Sequence, residues 1–319
     1  MIKKILLVTL FTLLTTSSTS FANNEFTPLN EKEIDELVNK TLTSFNVPGI
    51  AVAIIKDGKV LHAKGYGVRN INNKAKVNAD TLFQIASNSK SMTTAALAIL
   101  MDEGKLQWND KVIDYLPEFR LQDPYVTREF TITDLLTHRS GLPLAAGDLL
   151  FVPDSENTSL QDIFKALSTI KPVSSFRSKF AYDNLLYILA GEIVERVSGM
   201  SWAEFVENRI FKPLEMKGCF ASHNRVPSNA NQATPHIYLN NSYEIIPYEN
   251  SELVGPAGGV NCSVNGVAKW LGMQLAHGKL PNGKNIFTKQ RHKEMWTPQT
   301  IDDVNLNDEL GSKVNITTY

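Results

Sequence analysis

Phe83-Gln84-Ile85-Ala86-Ser87-Asn88-Ser89-Lys90 opens the decisive stretch of this chain. It runs on into Ala95-Ala96-Leu97-Ala98-Ile99-Leu100-Met101, seven consecutive apolar residues ahead of Gly104. A run apolar on every face predicts a buried helix, here from Ser87 to Glu103, stopped by the glycine. Ser87 and Lys90 are three apart, so on such a helix their Cβ atoms lie on one face about 5–6 Å apart. A serine hydroxyl is a weak nucleophile until a base takes its proton, and a lysine one turn away is such a base. The helix start adds unpaired N–H groups and a positive dipole end, which favour a developing oxyanion. Burial of the helix start lowers an amine from its free value of about 10.4. Spacing alone leaves a plainer reading open, with Ser87 as an N-cap and Lys90 as a solvated charge. Ser168 and Lys171 share the spacing, but Lys171 precedes Pro172 at a helix end.

Upstream, Ile34, Leu37, Val38, Leu42 and Phe45 fall at helical intervals and predict a helix over Lys32 to Phe45. Two strand-like runs, Ile50 to Ile55 and Val60 to Gly65, flank Asp57-Gly58 and predict a hairpin. Alone such a hairpin is marginal, so further strands or helices must cover it. Downstream the pattern turns helical, at Asn184 to Val197 before Gly199, Trp202 to Ile210 before Pro213, Val264 to Ala276 and Lys289 to Trp296. Strands followed by many helices, with no linker or repeat, predict a single α+β unit.

A second proton-handling residue is Tyr182, in Tyr182-Asp183-Asn184 just before a strongly periodic helix. Tyr238-Leu239-Asn240 and Tyr248-Glu249-Asn250 repeat the pattern within a polar stretch read as irregular. Only Tyr182 adjoins an apolar helix able to hold a phenol in place. The alternative is a helix-entry aromatic with Asp183 or Asn184 as cap.

Composition narrows the function classes. The 32 Lys and Arg balance 33 Asp and Glu for a net charge of −1, which gives no electrostatic footprint for nucleic acid. No Gly-x-Ser-x-Gly elbow occurs. The six histidines show no ligand spacing with acids or cysteines, so neither a metal nor another cofactor is expected. Lys3 and Lys4 precede an uncharged apolar run from Ile5 to Leu14 and a small-residue stretch to Ala22. This predicts a cleavable signal peptide over residues 1–22, too short for a membrane span, and a secreted or periplasmic product without a stable membrane anchor. Export permits a disulfide between Cys219 and Cys262, the two cysteines of the chain; two buried thiols are the alternative.

The stretch Phe83 to Lys90 resembles the first signature of the serine β-lactamase and penicillin-binding-protein superfamily, in its class C-like branch. Other stretches resemble it in order. They are Gly104-Lys105-Leu106 with Asp110-Lys111-Val112 and Tyr115-Leu116-Pro117; Thr137-His138-Arg139-Ser140-Gly141-Leu142-Pro143; Tyr182-Asp183-Asn184 with Pro213-Leu214-Glu215-Met216; and Pro256-Ala257-Gly258-Gly259-Val260. The resemblance spans Glu31 to Thr300. It implies the β-lactamase/transpeptidase-like α+β fold, an antiparallel sheet flanked by helices with a mostly helical insertion over about 105–250. It further implies Ser87 as acylated nucleophile, Lys90 as its activator, Tyr182 as proton shuttle, Asn184 as a group orienting substrate or Lys90, and structural roles for His138 and Ser140. The expected activity is serine hydrolysis of an amide or ester in a small-molecule or peptide substrate: a β-lactam, a cell-wall peptide or an ester.

One family element is missing. No Lys or His followed by a small residue and Gly follows the glycine turn: His277-Gly278-Lys279 has the wrong order and Lys313-Val314-Asn315 lacks the glycine. By this comparison the domain over residues 23–319 is expected to lack its C-terminal sheet strands, and with them much of its activity. A non-catalytic binding module for cell-wall peptide or β-lactam, or an inactive remnant, is therefore the rival expectation.

Overall fold

The computed structural model describes residues 29–151, 157–248 and 251–300. The expected signal peptide and residues 301–319 lie outside that range. Asn30 begins the described fold with a reciprocal capping box to Glu33, which starts helix α1 (Glu31–Ser44). The hairpin follows as β1 (Gly49–Lys56) and β2 (Lys59–Gly67), antiparallel from Gly49 opposite Gly67 to Lys56 opposite Lys59, with a one-residue register shift between Ile54 and Ile55. Its turn residues Asp57 and Gly58 have φ of 50° and 73°, the paired left-handed conformation that a two-residue hairpin requires.

A short strand β3 (Leu82–Gln84) then leads into a tight 3₁₀ turn, Ala86–Asn88, and helix α2 (Ser89–Asp102). The sequence expectation of one helix from Ser87 is corrected here, since Ser87 sits in the 3₁₀ turn and is not the helix cap. Asn88 occupies that position and makes no side-chain capping bond. Eleven of the fourteen residues of α2 are buried, including all of Ala95 to Met101, as expected of a helix apolar all round.

Short helices α3 (Val112–Tyr115), α4 (Pro124–Glu129) and α5 (Ile132–Leu136) come next, followed by α6 (Leu160–Thr169). Helix α7 (Leu185–Ser198) ends at Gly199 in the left-handed conformation and packs along α2. Helix α8 (Trp202–Val206) continues into a π-helical turn at Glu207–Phe211. Strands β4 (Cys219–Phe220), β5 (His236–Leu239), β6 (Ser242–Ile245) and β7 (Asn261–Ser263) precede α9 (Val264–Leu275) and α10 (Lys289–Met295). Among the described residues the strands form three small sheets: β1–β2, β3–β7–β4 and β5–β6. The last hairpin corrects the reading of that stretch as irregular, because Tyr238 lies in β5 opposite Tyr243.

Cys219 and Cys262 are directly opposite in the β4–β7 pair and are joined as a disulfide. One contiguous core joins α2, α7 and α8 with the turn at Gly255–Gly259, while the hairpin and α1 share a small second cluster of Ile34, Val38 and Tyr66.

Candidate active site

Ser87 is lifted to the surface by a strained residue. Ala86 has φ of 46°, a left-handed conformation that costs a non-glycine residue of order 1–3 kcal/mol. Three hydrogen bonds hold the turn there. Ser89 Oγ donates to the Ala86 carbonyl (2.7 Å), Val260 N donates to Ser89 Oγ (3.1 Å), and Ile85 N donates to the Val260 carbonyl (2.9 Å). Ser87 is thereby exposed while Ser89 and Lys90, two and three residues on, are buried.

Lys90 Nζ makes three hydrogen bonds: to Ser87 Oγ (3.1 Å), to Asn184 Oδ1 (2.7 Å) and to the Ala257 carbonyl (2.7 Å). Burial lowers its amine to about 8, against the opposing pull of Asp148 and Asp183. Charged, the amine uses all three N–H bonds on these acceptors. Neutral, it can still donate to Asn184 and Ala257, and its lone pair then faces Ser87. That is the geometry of a base aimed at one hydroxyl.

Tyr182 reaches the same oxygen, donating its hydroxyl to Ser87 Oγ at 2.7 Å. Its ring stacks on His138 at 4.4 Å, and the ammonium of Lys90 lies 4.8 Å from its centroid. His138 is completely buried with φ of 53°, accepts at Nδ1 from Asp183 N (3.1 Å), and accepts at its carbonyl from Ala181 N (2.8 Å). Burial, with Lys90 nearby, pushes its imidazole down to about 4, so it is neutral at ordinary pH. His138 thus serves as a wall for the phenol, in line with its expected structural role. The loop carrying it is anchored by buried Asp134, which accepts from Arg139 Nε (3.0 Å) and from Arg177 Nε and Nη2 (2.9 and 2.6 Å). Ser140 also acts locally, its Oγ accepting from Leu142 N at 3.1 Å.

Asn184 opens α7 and presents its carbonyl oxygen to Lys90. Its amide nitrogen donates to both oxygens of Asp148, at 3.1 and 3.0 Å. Asp183 caps the helix, Oδ1 accepting from Leu185 N at 2.9 Å, while Oδ2 is buried without a hydrogen-bond partner among the described residues. Burial raises this carboxyl to about 7. The glycine turn comes close because Gly191 of α7 has no side chain. A Cβ there would stand 2.1 Å from Pro256 Cγ.

Ser87, Lys90, Tyr182 and Asn184 therefore meet at one point, although the first and last are 97 positions apart in the chain. The look-alike pairs do not join them: Ser168 Oγ is spent on the Lys165 carbonyl within α6, and Tyr248 stacks on His223. Two participants escaped the sequence reading, Asp148 and the Ala257 carbonyl. The second lies in the glycine turn Gly255–Gly259, where a backbone carbonyl leaves no mark in residue type. Among the described residues, no cluster of three or more His, Cys, Asp or Glu could hold a metal ion, and no helix is long and apolar enough to cross a membrane.

The profile of the beta-lactamase family matches residues 34–306. This chain belongs to the beta-lactamase family. Among the proteins it resembles, the unguisins hydrolase ungD' of Aspergillus campestris (strain IBT 28561) is 28% identical over 283 residues, covering 85% of this chain and 51% of that protein. Protein flp of Staphylococcus aureus (strain N315) is 27% identical over 281 residues, covering 87% of this chain and 54% of its own length. The octameric penicillin-binding protein homologue from Pyrococcus abyssi superposes with a TM-score of 0.73 at 26% identity, over 85% of this chain and 61% of that one. A tyrosine-to-phenylalanine mutant of a class C beta-lactamase superposes with a TM-score of 0.69 at 22% identity, over 83% of this chain and 70% of that one, which shows the shared fold. The chain spans about half the length of the curated relatives it matches. The β-lactamase/transpeptidase-like α+β fold expected from the motifs is the fold observed, and family membership supports a serine hydrolase in general terms.

Proposed function

We propose that this protein is an exported serine hydrolase that opens amide or ester bonds through an acyl-enzyme on Ser87. The observation that carries this reading is the convergence of Lys90 Nζ (3.1 Å) and Tyr182 OH (2.7 Å) on the Oγ of an exposed serine. Neutral Lys90 takes the Ser87 proton as Oγ bonds to the substrate carbonyl carbon, giving a tetrahedral oxyanion. Collapse breaks the bond from that carbon to nitrogen or oxygen, and the leaving group receives a proton through Tyr182. Water, deprotonated by the same pair, then attacks the Ser87 ester; the acid departs and the hydroxyl is restored. Substrates of the β-lactam, D-peptide or simple ester type all present such a carbonyl. Similarity to a protein named as a hydrolase and to a penicillin-binding protein homologue is consistent with this range and does not narrow it. Export is supported by the signal-like residues 1–22 and by the Cys219–Cys262 disulfide, which persists in oxidising compartments.

The test is covalent labelling by a fluorescent penicillin and by a fluorophosphonate. Wild type should be labelled by at least one, and Ser87→Ala by neither. Equal labelling of both proteins removes Ser87 from the chemistry. Stoichiometric labelling with no product over hours would mark a binding module in place of a hydrolase.

A further inference from the structure

Asp148 is not part of any motif that pointed to the site, yet the site is built onto it. Its two carboxylate oxygens take both hydrogen bonds from Asn184 Nδ2, at 3.1 and 3.0 Å. An amide side chain can turn over and exchange its oxygen for its nitrogen, and only its partners decide which end points where. With Asp148 on one side, a turned Asn184 would set its carbonyl against a carboxylate and its NH₂ against the Lys90 amine. Both contacts would be repulsive. Asp148 therefore permits one orientation, the one in which Asn184 Oδ1 receives a hydrogen bond from Lys90 at 2.7 Å.

We infer that Asp148 is a positioning residue for acylation, fixing the Asn184 amide and through it the direction in which the Lys90 amine faces Ser87. The inference rests on the acyl-enzyme reading of Ser87. Of the two N–H bonds a neutral Lys90 spends on fixed acceptors, one goes to the Ala257 carbonyl and the other to the oxygen that Asp148 holds in place. Without the second, the amine can rotate and its lone pair leaves the serine. Asp148 also acts on Lys90 through space: it is the largest of the charges that favour the ammonium, ahead of Asp183, against the burial that disfavours it. The remaining groups around Nζ are the rings of Tyr182 and Tyr187 at 4.8 and 5.3 Å, the neutral His138 behind Tyr182, and Ser87 itself. Removing Asp148 thus strips both an anchor and a negative charge.

The two effects separate by substitution. Asp148→Asn keeps an oxygen that accepts from Asn184 but loses the charge; Asp148→Ala loses both; Asp148→Glu restores both on a longer stem. The readouts are the labelling rate of Ser87 across pH 6 to 10 and the Lys90 side-chain titration, followed by NMR on lysine-labelled protein and assigned with Lys90→Arg. In wild type, Lys90 should titrate near 8. In Asp148→Asn the midpoint should fall while the labelling plateau changes little. In Asp148→Ala the midpoint should fall as far and the plateau should drop by up to roughly 10²-fold, the scale of a misdirected catalytic group. Asp148→Glu should recover part of that plateau. An undiminished plateau in a folded Asp148→Ala overturns the proposal, and so does one in Asp148→Leu, which fills the same space without an acceptor, should Asp148→Ala not fold. Failure of wild type to label, with the NMR midpoint still moving as expected, would instead sink the acyl-enzyme reading and leave the placement of Asp148 intact.

Discussion

The body around α2 and α7 and the β1–β2 hairpin are equally apolar in sequence and very differently buried. Ala95 to Met101 are at most 3% exposed. No residue of Gly-Ile-Ala-Val-Ala-Ile-Ile-Lys in β1 is fully buried, and Val60 and Leu61 of β2 are 53% and 52% exposed. The helices close on themselves from all sides. Among the described residues the hairpin pairs only within itself and is covered by α1 and α9. Apolar content thus decides which segments can be core, and the number of neighbouring layers decides which are. The Ser87–Lys90–Tyr182–Asn184 cluster lies in the first region, where α2, α7 and the glycine turn hold one another.

The widest test of that contrast is truncation. Leu97→Ala, at a fully buried position of α2, should cost about 2–5 kcal/mol, whereas Val60→Ala in the hairpin should stay within about 0.5 kcal/mol, both read from urea midpoints. Equal losses would mean that the two regions share one cooperative core. Smaller is Gly191→Ala, which should cost about 1–3 kcal/mol by forcing Pro256 away from α7. It should also slow labelling of Ser87, because the displaced turn carries the Ala257 acceptor.

The pH dependence of folding is next in size and lies in the body. His138 is lowered to about 4 in the fold, so its contribution is present above its free value near 6.5 and fades as pH falls from there toward 4. Asp183 works in the opposite sense. Its carboxyl is raised to about 7, so it favours the fold at low pH and that advantage is lost as pH rises from about 4 through 7. Asp183→Asn should therefore make the melting temperature fall more steeply on going from pH 7 to 4.5; an unchanged slope would show that Asp183 is ionised in the fold. The smallest effect belongs to the hairpin side, where Asp35 accepts from Lys64 and Tyr66. Adding 0.5 M salt should leave the melting temperature of Lys64→Met and of wild type nearly equal, because exposed pairs of this kind are screened.

What the sequence revealed follows the same division. The buried helix was plain in seven consecutive apolar residues and the hairpin in Asp57-Gly58, since both signals are local. Ser87, Lys90, Tyr182 and Asn184 were found because two short motifs each adjoin a strongly patterned helix. Strands β3, β4 and β7 were hidden, because two or three residues carry no periodicity and their pairing is set by packing between distant segments. Asp148 was hidden for a related reason. It lies 36 positions before Asn184, at the start of a one-turn 3₁₀ helix (Asp148–Leu150), and only the folded chain brings its carboxylate to the amide. The position of Ser87 one turn early, on strained Ala86, was equally out of reach, as backbone strain is imposed by neighbours and leaves no trace in residue type.

The bond between Cys219 and Cys262 ties a ring of chain, 43 positions around, and the Ala257 acceptor of Lys90 rides on that ring. By loop-closure reasoning such a tie is worth about 4 kcal/mol against the open chain. A protease that nicks the ring once leaves both cut ends fastened to the body, so Ala257 is held near its lysine after the backbone is severed. Only a cut followed by reduction would set that segment loose.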